Sequence, residues 1–228
     1  MTGPRGLYLT NWLVDKMARR TRVSPDRILA AAADEFAERG FAGARVDRIA
    51  RRARVNKAML YYHFQSKQEL YRILLRRHFT LAADRLRGIA AGAGSPPEKL
   101  DRVVAGLASF IREHDSFPAI MLREVAEGGA HLDRDTLLAL VSVPQAFFTI
   151  VQDGVASGAF RAVHPVVAYF STLAPIVFFL AAGRIRSEVS ARHLMDLTTV
   201  TPDEFVRQLQ QSLRRALVRE VSAARSTP

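Results

Sequence analysis

Between positions 45 and 57 the chain carries five arginines and one lysine, opposed only by Asp47. They are Arg45, Arg48, Arg51, Arg52, Arg54 and Lys57, and shortly after them Tyr61, Tyr62 and His63 stand in a row. Cationic side chains at this density seek phosphates. A phenol or imidazole set among them can hydrogen-bond a phosphate oxygen or a base edge. A merely solvated face rarely carries three such rings together. The rest of the chain is poor in reactive constellations: it has no G-x-S-x-G, H-E-x-x-H, P-loop or G-x-G-x-x-G pattern. Its six histidines, at 63, 78, 114, 131, 164 and 193, lack metal-ligand spacing. The absence of cysteine excludes thiolate nucleophiles, disulfides and thiolate metal sites. An enzyme is not expected, and neither is a cofactor or a metal.

The elements that position these groups belong to a chain of 228 residues, 49% apolar and 24% charged, with a formal net charge of +11. That apolar share is ample for a packed core and excludes a disordered chain. The charge excess is local: residues 1–88 hold 19 Lys and Arg against 8 Asp and Glu, whereas residues 89–228 hold 14 of each. Such asymmetry points to nucleic acid or an anionic membrane as partner of the basic part. Leu7, Tyr8 and Leu9 give way at once to Thr10, Asn11, Asp15 and Lys16, so no signal peptide is expected. Met17 reads as an alternative start, followed by a basic arm at Arg19, Arg20 and Arg22, with residues 1–16 an optional extension. The most apolar stretch, Val166–Ala182, contains Tyr169, Thr172 and Pro175 and is shorter than the roughly 20 residues of a membrane span. A helix buried on most sides, a cytoplasmic location and no membrane partner are expected.

Periodicity reads helical nearly throughout. Ser24 and Pro25 open a helix that Gly40 stops, a short helix covers about Val46–Ala53, and Asn56 caps another over Lys57–Phe64. Ser66 caps a fourth running towards Arg87. Val46, Ile49, Ala50, Val55, Leu60 and Phe64 pack the two short helices together, leaving the basic residues, Met59, Tyr61, Tyr62 and His63 facing out, a helix-turn-helix pattern. Gly88–Pro97 is the clearest break. Helices follow at about Pro97–His114, Pro118–Glu127, Asp133–Ser157, Pro165–Gly183 and Pro202–Ala224. The expected fold is all-α, with a basic arm (1–23), a three-helix helix-turn-helix head (24–70) and a larger helical ligand-binding and dimerisation bundle (71–228).

Ile28 to Ala32, Phe36 to Phe41, Val46 to Ala50, Val55 to Phe64 and Ser66-Lys67 together resemble the DNA-binding head of TetR-family regulators over about residues 24–75. The resemblance implies a homodimer on a palindromic double-stranded operator, usually a repressor, released when a small-molecule effector in the body spreads the two heads. By position it implies that Lys57, Met59, Tyr62 and His63 read bases or groove backbone. Tyr61, Lys67 and Arg45 would hold phosphates, joined by Arg52, and Arg19, Arg20 and Arg22 would reach the minor groove. The chain departs from the family twice. Arg54 stands where the turn usually has glycine, a strain of about 1 kcal/mol if φ is positive. Arg45 replaces a hydroxyl cap worth about 1 kcal/mol.

In the body, Phe110, Phe117, Met121, Phe148, Tyr169 and Phe178 are candidate ligand-binding residues, with Val125, Phe147, Val151 and Leu173 beside them. Aromatic and Met side chains suit a largely apolar cavity. Arg123, Glu124, Glu127, His131 and Asp133 read either as a polar or metal site or as a salt-bridged helix end. The helices over Pro165–Gly183 and the C-terminal stretch, with Phe205, Leu209, Leu213, Ala216 and Leu217 on one face, are expected to form a dimer interface of about 1,200 Å² or more. The competing readings are a membrane-surface protein and a non-specific DNA-coating protein without an effector.

Overall fold

The computed structural model describes residues 24–219. The expected arm at Arg19, Arg20 and Arg22 and the start at Met17 lie outside them. Contacts divide the chain into two compact units after Tyr71.

In the first unit, α1 (Pro25–Gly43) opens on Ser24, whose hydroxyl accepts the Asp26 N–H at 3.2 Å. It buries Ile28, Leu29, Ala32 and Phe36 at helical spacing. Gly40, at φ 67°, breaks the helix as expected, but one further turn runs on to Gly43. Next come α2 (Val46–Arg52) and α3 (Lys57–Phe64), the latter capped by Asn56, whose side-chain oxygen accepts the Met59 N–H at 2.7 Å. Between them Arg54 takes φ 53°, the conformation its glycine-like position demands. Ile49, Leu60 and Phe64 join Ile28 and Phe36 in the core, each worth about 2 kcal/mol of apolar burial. Then α4 (Lys67–Ala91) begins at Ser66, whose hydroxyl accepts the Glu69 N–H at 3.0 Å.

The second unit contains the rest of α4, α5 (Pro96–Glu113), α6 (Phe117–Ala126), α7 (Arg134–Ala156), α8 (Pro165–Ala181), α9 (Gly183–Ala191) and α10 (Pro202–Leu217). Four side-chain caps fix helix starts here: Ser95 with Glu98 in a capping box, Asp133, His164 and Thr201. α8 packs against α5, α7 and α10. Three boundaries differ from the sequence reading. α4 runs through Gly88 to Ala91, because Lys99 Nζ donates to Ala90 O at 2.6 Å and helps satisfy the helix end. Gly183 does not stop the chain; it opens α9 after a 47° bend. α10 ends at Leu217, where Val218 pairs with Phe160 in an isolated antiparallel bridge. That pairing is flanked by Arg161 N–H to Leu217 O at 2.8 Å and Arg219 N–H to Ala159 O at 3.1 Å. α7 is long and apolar enough to cross a bilayer by composition, yet Phe147, Ile150 and Val151 are buried core. No strand occurs among the described residues.

Candidate nucleic-acid interface and body cavity

The short helix α2 has no hydroxyl cap, and a residue from α1 supplies what is missing. The carboxylate of Glu35, 2% exposed, accepts the Arg45 N–H at 3.2 Å and the Arg48 Nε–H at 2.5 Å. Arg48 also donates to Gly43 O at 2.6 Å. Burial alone would raise the Glu35 carboxyl, but the Arg48 guanidinium and the Arg45 N–H together hold it below its ordinary value. Arg48, expected to face outward, is thus an inward strut fixing α2 on α1.

The other cations fall into two groups. Arg52 pairs with Glu38 at 2.8 Å and lies 3.8 Å from Asp34, and Lys57 pairs with Asp47 at 2.6 Å. Lys57's hydrogen bond and charge hold the Asp47 carboxyl low. Lys67 Nζ donates to Phe41 O at 2.9 Å and Ala44 O at 3.3 Å, and lies 4.5 Å from the Phe41 ring centroid. It therefore ties down the turn between α1 and α2 with two of its three protons. The guanidinium groups of Arg45, Arg51 and Arg54, by contrast, are exposed with no ion-pair partner among the described residues. The sequence reading counted all of these among its phosphate-seeking cations but singled out Arg52, and not Arg51 or Arg54, as a phosphate contact. On α3, Tyr62 is 81% exposed, with Tyr61 exposed beside it and Met59 and His63 partly exposed. The face combines fixed ion pairs, three unpartnered guanidinium groups and exposed phenols, and so can hold phosphates while presenting hydrogen-bonding groups to bases.

The second unit carries a cavity of about 330 Å³, open to solvent on the side where Leu122, Val125, Phe170 and Phe178 are exposed. Phe110, Phe117, Met121, Tyr169 and Phe178 line it, as do Val125 and Leu173. Phe148 does not: it follows Phe147 by a single residue, which turns it away, and it packs edge-on against the Tyr169 ring at 6.3 Å. Phe147 and Val151 are core. Phe79, Leu107 and Leu140 are among the further lining residues that the sequence reading did not name. Each lies on the apolar face of its own helix, a position that equally describes plain core. Every lining residue is apolar except Tyr169, which is 7% exposed and has no hydrogen-bond partner for its hydroxyl among the described residues. Burial pushes its phenol up to about 12. Behind the Phe110 and Phe117 walls, His78 stacks on Phe117 at 4.5 Å and meets the His114 ring at 4.8 Å.

At the end of α6 the buried Glu124 carboxylate accepts the His131 N–H at 2.9 Å and lies 3.1 Å from His131 Nδ1, with Glu127 3.4 Å from the same nitrogen. One ligand atom from each of the three lies within 4.8 Å of the others, a spacing a divalent ion could use. Asp133 instead caps α7 and lies 3.4 Å from Arg72 and 3.5 Å from Arg76.

Residues 28–73 match the family model described as bacterial regulatory proteins, tetR family, and residues 96–214 match that of a tetracyclin repressor-like C-terminal domain. The chain is 27% identical over 171 residues to the HTH-type transcriptional repressor NicS of Pseudomonas putida, covering 74% of this chain and 79% of that one. It is 32% identical over 139 residues to the repressor KstR2 of Mycolicibacterium smegmatis, covering 60% and 67%. The regulator FadR of Bacillus subtilis, solved in complex with stearoyl-CoA, shares the fold at TM-score 0.62 and 18% identity, over 82% of this chain and 97% of that one.

Proposed function

The chain belongs to the TetR family of bacterial transcriptional regulators, a DNA-binding protein and not an enzyme, and from that premise we propose that it is a ligand-released repressor. It binds a palindromic operator as a homodimer and leaves it when a small, largely apolar effector fills the body cavity. The observation that carries the DNA half is Tyr62, 81% exposed on α3 beside guanidinium groups without partners. A bulky phenol held in water at that place is disposed to meet a groove. In this reading α3 enters the major groove, where Tyr62, Met59, His63 and Lys57 read base edges or groove backbone. Lys57 exchanges Asp47 for DNA, while Arg45, Tyr61, Arg52 and the remaining proton of Lys67 hold phosphates. Arg51 and Arg54 join them. The effector half is supported by the apolar cavity; that a regulator of the same fold is solved with a bound ligand, stearoyl-CoA, supports ligand binding in this fold but not the ligand's size or charge. The dimer half is supported by α8, which leaves Val167 and Phe178 exposed at 59% and 72%.

Selection of genomic fragments with the purified protein at about 150 mM salt tests the reading. One enriched palindrome is expected, with a mass by light scattering twice that of the 25.3 kDa chain. Uniform enrichment of all fragments, with a steep salt dependence, would leave only a non-specific DNA coat. Sedimentation with anionic liposomes without DNA selection would favour a membrane-surface role instead.

A further inference from the structure

The cavity's wall contains one polar group and no charged one. Tyr169 is more than nine-tenths buried, lines the cavity, and has no hydrogen-bond partner for its hydroxyl among the described residues. The hydroxyl is the only side-chain polar group on that wall, and only water or a ligand atom entering the cavity can pair with it. Its ring, in contrast, is held firmly: Phe147 meets it edge-on at 5.6 Å, with Phe148 and Phe170 against it at 6.3 and 5.3 Å. A hydroxyl on a ring held by three aromatic neighbours offers an entering ligand atom a hydrogen bond at a fixed place in an otherwise apolar wall.

Resting on the effector reading above, we propose that the ligand is an uncharged molecule, apolar over most of its surface, with one hydroxyl or carbonyl group that pairs with the Tyr169 hydroxyl. The phenol stays protonated across the physiological range, so it can both donate and accept but supplies no charge. No lysine, arginine or histidine lines the cavity to meet a carboxylate, and none of its carboxylates is there to meet an amine. A free acid or amine that placed its charged group at the Tyr169 hydroxyl, away from the open side, would bury an unpaired charge. Neutral alcohols, ketones and phenols meet neither penalty. The cavity is at the small end of the range for such sites, which favours compact molecules over long ones. Tyr169 is therefore the specificity-determining residue of the body.

Calorimetric titration with naphthalene, a naphthol and the matching naphthoate at pH 7 tests this on the wild type and on Tyr169→Phe. The variant keeps the ring and its aromatic neighbours. The naphthol should lose at least about fivefold in affinity on Tyr169→Phe, because its hydroxyl is then left unpaired. Naphthalene should bind the variant as tightly as the wild type or more tightly. Naphthoate should bind the wild type at least about a hundredfold more weakly than the naphthol. A naphthol indifferent to Tyr169→Phe, a naphthoate within tenfold of the naphthol, or no binding by any of the three would overturn the proposal. The same ligands added to the protein on its selected DNA fragment separate the two readings. Binding with the predicted pattern but without release of DNA would overturn the effector reading and leave the ligand chemistry standing.

Discussion

Glu35→Gln should loosen the DNA-binding head and weaken its hold on DNA without replacing any residue assigned to DNA contact. The substitution preserves size and leaves an oxygen for the Arg45 N–H, but removes the charge that meets Arg48. Removing one partner of a fully buried ion pair costs about 3–5 kcal/mol. Arg48 is 28% exposed and keeps its bond to Gly43 O, so water and that carbonyl take up part of the stranded charge. Halving the range for that solvation gives about 2 kcal/mol. Amide hydrogen exchange resolves the head from the body, and protection of the α1 and α2 amides should drop about thirtyfold. Operator affinity should fall with it, because a looser α2 no longer fixes the start of the turn that aims α3. The effect also has a pH signature. A carboxyl held low in the folded state stabilises it above the ordinary value of 4.5 and loses that contribution as pH falls below it. The wild-type head should therefore weaken through that window, while the variant, having lost the group, lacks this component. Unchanged protection in Glu35→Gln at pH 7 would refute the strut role of Glu35.

Gly154→Ala should destabilise the body although alanine favours helices. Its Cβ would lie 2.1 Å from a carbon of the fully buried Phe160 ring, and displacing that ring, at about 3–5 kcal/mol, outweighs about 1 kcal/mol of helix propensity. A thermal midpoint equal to or above wild type would contradict this. Arg54→Gly should raise head stability by about 1 kcal/mol through relief of φ 53°, while lowering DNA affinity for all sequences alike and reducing the salt slope by about one. Denaturation and binding at several salt concentrations read both changes. His78 is held below its ordinary value by burial, with His114 and Arg77 adding to it against the pull of the bond to Leu74 O. The unfolded chain then takes up the proton first, so this stability is intact above about pH 6.5 and declines below it, by up to about 1.4 kcal/mol per unit. His78→Phe should flatten that part of the decline in melting temperature between pH 7.5 and 5.5, and an unaltered decline would rule His78 out as its source.

The helix starts were legible because caps are local chemistry. Ser24 with Pro25, Asn56, and Ser66 each satisfy an N–H within three residues, and no distant partner is needed to recognise them. Helix ends were less legible, since Gly88 ends a helix only when nothing beyond satisfies its carbonyls, and here Lys99 does so from the next helix. Glu35 could not have been found: among Ala33, Asp34, Glu38 and Arg39 it looks like one more solvated charge. Only the tertiary arrival of Arg45 and Arg48 gives it a role. The same limit separates Arg52 from Arg51 and Arg54, because which arginine is neutralised depends on Asp34 and Glu38 across a helix pair. In the body, aromatic content pointed to a cavity, but Phe147, Phe148 and Tyr169 differ in facing by fractions of a turn that periodicity does not resolve.

The bridge between Phe160 and Val218 also orders events in time. The cap-to-cap contacts of the head join residues that lie within the first seventy or so positions, so the head can close as soon as that stretch has left the ribosome. The body cannot, because α10 must be made before Leu217 and Arg219 can clamp the loop at Ala159 and Arg161. Translation at about 5–20 residues per second separates these two moments by roughly seven to thirty seconds. A nascent chain therefore carries a folded head for some time before it has a finished body, and a truncation short of Val218 would make that interval permanent.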